Sequence, residues 1–428
     1  MDSVLLIAGL MLLILIGAPI ALAMIVLPVV YILATGAAPL LTVPHQMYEA
    51  LAKFPLVAIP FFMLTGELMN SSTVTERILR LSSVIVGRMR GGLAQVNVVA
   101  SMFFAGMNGS AVADTATIGT IMIPQMKKRG YSAEFSAAIT AIGSTIGGII
   151  PPSIAMIILA SGANLSVGAL FAGGVVPGLL IGFLLMMACW AIAALRGYER
   201  GDRPFTIAGA LRAFRGAAFA LMIPVVLVAG IFGGWFSSVE AGAITAAVAL
   251  FVGAVVYRSL SLRDLLAAFD RTLKLSASVF IIIAAAGPFS WLLTRIGTLT
   301  ALDGWLGGMA GTPVLFGAAL LALILVAGMF MDATANIIVL GPMLVANCVA
   351  AGFAPVQAAI VVVVGFLLGI VTPPVGVCYF TASAIAGANL GRVAVALLPF
   401  LAIELFVLVL ILALSPLTLA LPRVLGLL

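Results

Sequence analysis

Long apolar runs, each closed by a short polar or Gly/Pro-rich break, cover the chain from end to end. A run of about 20 apolar residues crosses a bilayer core as a helix, and 168–195, 217–235, 239–257 and 394–421 read as ordinary spans. Residues 91–126 do not. Both their ends adjoin basic loops, yet the segment is too short for two full spans and a turn. It predicts a helical hairpin that enters and leaves by one face, turning near 108–113. Residues 313–348 predict a second hairpin, turning near 332–336. The segments that follow, 131–165 and 353–390, are interrupted by GGIIPP at 147–152 and GIVTPP at 369–374. Proline removes a donor and clashes with the preceding turn, while glycine permits unusual backbone angles. Each segment should therefore form two half-helices. The N-terminal apolar stretch, broken at Gly17 and Pro19, reads as one kinked helix or two short ones.

These elements repeat. One ungapped shift lays Gly106 on Gly328, Gly130 on Gly352, Gly143 on Gly365, Gly147 on Gly369, Pro151 on Pro373, Pro152 on Pro374 and Pro177 on Pro399. A Gly and Pro framework held over so long a stretch implies duplication. Loop charge gives the orientation, because Lys and Arg are retained on the cytoplasmic side. Arg77, Arg80, Arg88 and Arg90 fill one first-half loop and Lys127, Lys128 and Arg129 another, whereas their counterparts at 299–312 and 349–351 carry no Lys or Arg. Conversely, Arg258, Arg263, Arg271 and Lys274 load a second-half loop whose counterpart, 36–52, has only His45, read as a loop residue. Equivalent loops on opposite faces define an inverted repeat. The expected division is a first repeat at 1–195, a cytoplasmic linker at 196–216 and a second repeat at 217–428.

Composition fixes the class. With 64% hydrophobic residues, 8% charged and a mean hydropathy of +1.32, the chain cannot surface a soluble globule. It is read as an all-α polytopic membrane protein. The N-terminal run lacks a basic flank and reads as a retained membrane segment rather than a cleaved signal. The net charge of +6 reports orientation rather than nucleic-acid binding. Cys189, Cys348 and Cys378 lie in apolar runs without metal-ligand spacing and read as packing residues.

Ionisable residues within membrane segments are functional suspects, and Asp114 and Asp332 stand at the hairpin tips with Asn108, Ser110, Thr115, Thr334 and Asn336. This all-oxygen set suits a hard cation. Carbonyls freed at the breaks add Gly147, Ile150 and Pro152 in one half, and Gly369, Thr372 and Pro374 in the other. The freed amides suit a carboxylate. Small polar residues also pack helices together, a role that stays open for Ser110 and Thr334. Arg295 either faces the substrate path or snorkels to the interface, the second being favoured. Glu67, Glu240 and Glu404 read as residues of helix interfaces or partner contacts, and Trp235 and Trp305 as members of an interfacial belt. A lone His and the absence of GxSxG and HExxH argue against an intramembrane enzyme.

The stretches GMNGSAVADTATIGTIMIPQMKKRGY, IGGIIPPS, GMFMDATANIIVLGPML and GIVTPPVG resemble the large membrane subunit of tripartite ATP-independent periplasmic (TRAP) transporters. The resemblance covers essentially the whole chain. SSVEAG around Glu240 departs from the family's TPTEA-like pattern, which touches only a scaffold contact. The resemblance implies an elevator-type carrier of the ion transporter superfamily in the bacterial inner membrane, with no cofactor beyond sodium as coupling ion. Implied partners are a separate small four-helix membrane subunit and a periplasmic substrate-binding protein. One sodium site would use Asn108 and Ser110 with Gly147, Ile150 and Pro152. The other would use Asp332, Thr334 and Asn336 with Gly369, Thr372 and Pro374. Substrate, an organic acid such as a dicarboxylate or a sialic acid, would lie near Asp114, Thr115 and Arg295. The rival is a stand-alone sodium- or proton-coupled anion symporter of the same architecture.

Overall fold

A computed structural model describes residues 6, 8–10, 12, 13, 16–198, 206–309 and 311–428, with the side chains of 106–108 left aside. The chain is helical throughout, with no strand among the described residues. Six described helices are long and apolar enough to cross a membrane, or eight if two bent pairs each count as one span.

In chain order the helices are α1 (Ile20–Thr35), α2 (Thr42–Leu51), α3 (Ala58–Asn70) and α4 (Val74–Val86). The first hairpin follows as α5 (Gly92–Asn108) and α6 (Ala111–Lys128), and the first broken helix as α7 (Ala133–Thr145) and α8 (Ile154–Ala163). Next come α9 (Val167–Arg196), α10 (Ile207–Phe232), α11 (Ser238–Phe251), α12 (Leu262–Arg295) and α13 (Thr298–Gly307). The second hairpin comprises α14 (Pro313–Phe330), α15 (Ala333–Val339) and α16 (Gly341–Ala350), and the second broken helix α17 (Pro355–Gly369) and α18 (Val377–Ala386). The chain closes with α19 (Leu390–Ala413) and α20 (Pro416–Val424).

Several boundaries differ from the sequence expectation, each for a local reason. The basic stretch from Arg263 to Lys274 is no loop. Ser261 and Asp264 form a reciprocal capping box that starts α12 at Leu262, and no Gly or Pro follows until Gly287. The basic side chains thus ride on helix, and Arg271 pairs with Glu67 on α3 at 2.7 Å. His45 likewise lies within α2 rather than a loop. Glu240 closes a capping box with Ser237 at the start of α11. Thr206 caps α10, so helix begins inside the expected linker; residues 199–205 lie outside the described set. The 394–421 span is two helices, because Pro416 opens α20 after a non-helical Leu414. The N-terminal stretch turns at 16–17, where Gly17 has φ +86°, before α1 begins.

The core is built on the broken helices. Every residue from Phe135 to Thr145 and from Val356 to Gly369 is buried. Around them each hairpin packs twice. The returning arm α6 lies on α7 of its own half and on α18 of the other; α15 and α16 lie on α17 and, across the halves, on α8. Helix α12 packs against α1, α2 and α3 and also against α15 of the second hairpin, while α3 packs on α5 of the first.

The three cysteines are buried, so a single introduced cysteine can report topology with an impermeant thiol reagent. A cysteine at Lys128 should label from the cytoplasm and one at Ala350 from the periplasm. Labelling of both from one side would refute the opposed orientation of the halves.

Candidate functional site: two hairpin tips on two broken helices

Each tip is a helix N-terminus held by a side-chain oxygen. Gly109 takes the left-handed conformation at φ +63°, and Ser110 caps α6 by accepting from Ala113 N. A cap side chain satisfies one of the four orphan donors of a helix start. At the aligned position of the second half, Asp332 caps α15, its Oδ2 accepting from Thr334 N at 2.8 Å. One turn further in, the aligned pair is Asp114 and Asn336. Each tip therefore carries one acid, at the cap in the second half and a turn inside it in the first.

Both tips are stitched to the chain around them. Ile154 N donates to Gly109 O at 3.3 Å, and a Cβ on Gly109 would sit 2.5 Å from Pro152 O. A Cβ on Gly147 would lie 2.0 Å from Asp114 Oδ2, so the missing side chain is what lets the carboxylate lie against the break. In the second half a Cβ on Gly369 would fall 2.5 Å from Gly328 Cα. Asn336 Nδ2 closes that turn by donating to Ala327 O and Met331 O, each at 3.1 Å.

The breaks free carbonyls unequally. In an unbroken helix Gly147 and Gly148 would accept from residues 151 and 152, but both are prolines without N–H. Ser153 Oγ serves Gly148 O. At the second break Thr372 N donates to Gly369 O at 3.0 Å and Cys378 N to Ile370 O at 3.1 Å. Thr372 Oγ1 turns back onto Leu368 O at 2.7 Å. Carbonyls there keep one lone pair each. Pro151 and Pro152 are buried, while Pro374 is exposed and Thr372 half-buried. Both Pro–Pro bonds are cis.

Cys378, at the start of α18, is buried, on a helix that packs against α6, which carries Thr115, and α7, which carries Ser144. Thr115 and Ser144 hydroxyls meet at 2.6 Å.

Part of the expected cation-site set lies at the tips. Ser110 and Gly147 gather at the first tip with Pro152, and Asp332, Thr334 and Asn336 at the second. The Asn108 side chain lies outside the described set. Asn336 Oδ1 is buried with no hydrogen-bond partner among the described residues, an oxygen of the kind a hard cation takes. The expected substrate residues are not brought together. Asp114 and Thr115 are fully buried, and Arg295 is exposed in the last turn of α12, where a cation favours the helix dipole.

Two residues escaped sequence reasoning. Lys53 Nζ donates to Ser161 O near the C-terminus of α8 at 3.2 Å. Both line a cleft of about 450 Å³ between α2 and α12 on one side and α8 and α16 on the other. Lys53 stands alone between apolar segments, and Ser161 aligns with Ser383 in the repeat, which were the available signals.

A polytopic helical protein with two hairpin tips seated on two broken helices defines a membrane transport permease. The profile of the tripartite ATP-independent periplasmic transporter DctM component matches residues 7–417, and the chain belongs to that family. It is 32% identical over 408 residues to the sialic acid TRAP transporter large permease protein SiaM of Vibrio cholerae, covering 95% of each chain. To the C4-dicarboxylate TRAP transporter large permease protein DctM of Pseudomonas aeruginosa it is 35% identical over 381 residues, 89% of each. The crystal structure of the Alcanivorax borkumensis YdaH transporter superposes with a TM-score of 0.62 over 87% of each chain, at 16% identity, a likeness of fold alone.

Proposed function

We propose that this chain is the large permease of a sodium-coupled organic-acid importer in the bacterial inner membrane. It would work with a small four-helix membrane subunit and a periplasmic binding protein. The observation that carries the reading is the pairing of each tip's oxygens with a proline-broken helix. Sodium would be held at the first tip by Ser110, Gly147 and Pro152, with Asn108 and Ile150, and at the second by Asp332, Asn336 and Thr372, with Thr334, Gly369 and Pro374. Sodium is cargo here, carried with the substrate. Its charge offsets the carboxylate, which removes much of the cost of moving an anion through a low-dielectric core. The relatives' names favour a C4-dicarboxylate or a sialic acid as the class of substrate.

Movement would carry the hairpins and broken helices as one block past α2, α3 and α12. The shared buried core of α7, α8, α17 and α18 supports this reading, since packed cores move as units rather than deform. In proteoliposomes, the chain alone should not transport appreciably, and uptake should appear only when the small subunit, the binding protein and an inward sodium gradient are all present. Full activity of the chain alone would favour a stand-alone symporter. Uptake with all partners but indifferent to sodium would remove the coupling ion from this reading.

A further inference from the structure

Glu404 is an intramembrane acid that the two tips do not use. It lies on α19, within the apolar Leu390–Ala413 span, and is 1% exposed. A bare carboxylate there would need a cation or a proton, because desolvation costs several kcal/mol per ion. Helix α19 packs on α7, α9, α17 and α18. Their ionisable residues are Glu134 on α7, Cys189 and Arg196 on α9, and Cys378 and Tyr379 on α18, with none on α17. Glu134, Arg196 and Arg392 of α19 itself gather in a surface cleft, Glu134 being about 16 Å from Thr145 along α7 at helical rise. Cys189 and Cys378 are buried, and the Tyr379 hydroxyl donates to Leu390 O. Among the described residues no Lys, Arg or His forms an ion pair with Glu404.

Its partner is Thr145 Oγ1, the last side chain of α7 before the first break. The same hydroxyl reaches Ile142 O at 2.7 Å. A threonine hydroxyl has one hydrogen, and a carbonyl can only accept. The hydroxyl can give its hydrogen to either acceptor; where it goes to Ile142 O, Glu404 must be the donor, which a buried carboxyl with no cation beside it can be only in its neutral form. We propose that Glu404 is a neutral carboxylic acid that donates to Thr145 Oγ1. It acts as a positioning residue, tying the end of α7 to α19 so that the Ile146–Gly148 turn presents the Gly147 carbonyl to the first tip. The aligned positions of the other half are Gly182 and Leu367, so the tie belongs to the first break alone. The positioning role rests on the sodium reading above; the protonation state does not.

Infrared spectroscopy of the purified chain in lipid decides the protonation state. Wild type minus Glu404→Gln should show the carbonyl stretch of a protonated carboxyl at neutral pH, moved to higher frequency in Thr145→Val, where the acceptor is lost. Carboxylate bands in its place overturn the proposal. Sodium titration of uptake in the three-component system tests positioning. Glu404→Gln keeps a donor and should hold the wild-type half-saturation. Glu404→Leu should raise it about tenfold, the scale of a lost outer-shell contact, and Thr145→Val should raise it in the same direction. Wild-type sodium affinity in both Glu404→Leu and Thr145→Val overturns the positioning role. If wild-type uptake ignores sodium, the coupling reading fails and positioning with it, while the infrared band still judges the neutral acid.

Discussion

Asp332→Ala is expected to abolish uptake in the reconstituted system at sodium concentrations that saturate the wild-type protein, and to leave membrane insertion intact. The carboxylate does two things at once. It caps α15 through Thr334 N, and it brings the only formal charge to the second tip. Loss of a cap costs about 1 kcal/mol, too little to unfold a chain with so extensive a buried core. Loss of the charge removes the strongest hard-cation ligand of the set. Asparagine separates the two roles, since it caps about as well as aspartate but carries no charge. Asp332→Asn should therefore match wild type in thermal stability and still require at least about tenfold more sodium, by analogy with lost contacts around bound metals. Wild-type sodium dependence in Asp332→Asn would remove Asp332 from the site.

Gly147→Ala should stop transport without dismantling the fold. Its Cβ would stand 2.0 Å from Asp114 Oδ2, a distance no real pair adopts, so one of them must move. The group in the way is the end of a side chain rather than backbone, and the carboxylate can swing aside. Overpacking costs of about 1–3 kcal/mol lower stability without preventing assembly. What is lost is the apposition of Asp114 to the break. A purified Gly147→Ala protein that is monodisperse, modestly less thermostable and inactive is the expected result. Retained uptake would mean that Asp114 need not lie against the break. The comparison with Gly369→Ala is informative, because there the obstruction is Gly328 backbone. That variant should be the less stable of the two.

The hairpins and breaks were legible because their signals are negative ones. Proline cannot donate and glycine has no side chain, and neither fact depends on what packs nearby, so GGIIPP and GIVTPP announced the interruptions directly. Asp114 and Asp332 were legible as costly charges in an apolar run. Helix starts were harder. Ser261 and Asp264 form a good cap, yet a basic stretch after an apolar run also reads as a loop, and the cap won. Pairings across the halves were not legible at all. That α18 would pack on α6, or that Lys53 would reach Ser161, depends on how two distant segments meet in space.

The crossed packing, in which α6 leans on α18 and α15 on α8, bears on how the protein is made. Synthesis proceeds from the N-terminus, so the first hairpin is in the membrane long before Val377–Ala386 leaves the ribosome. Until then the surface of α6 around Asp114 and Thr115 lacks one of its two covers, and Lys127, which ends bonded to Ala386 O at 2.7 Å, has no carbonyl to hold. The first half is thus an unfinished intermediate by design of its sequence. A nascent chain stopped short of α18 should be a substrate for membrane quality-control proteolysis, whereas one extended just past Ala386 should begin to resist it.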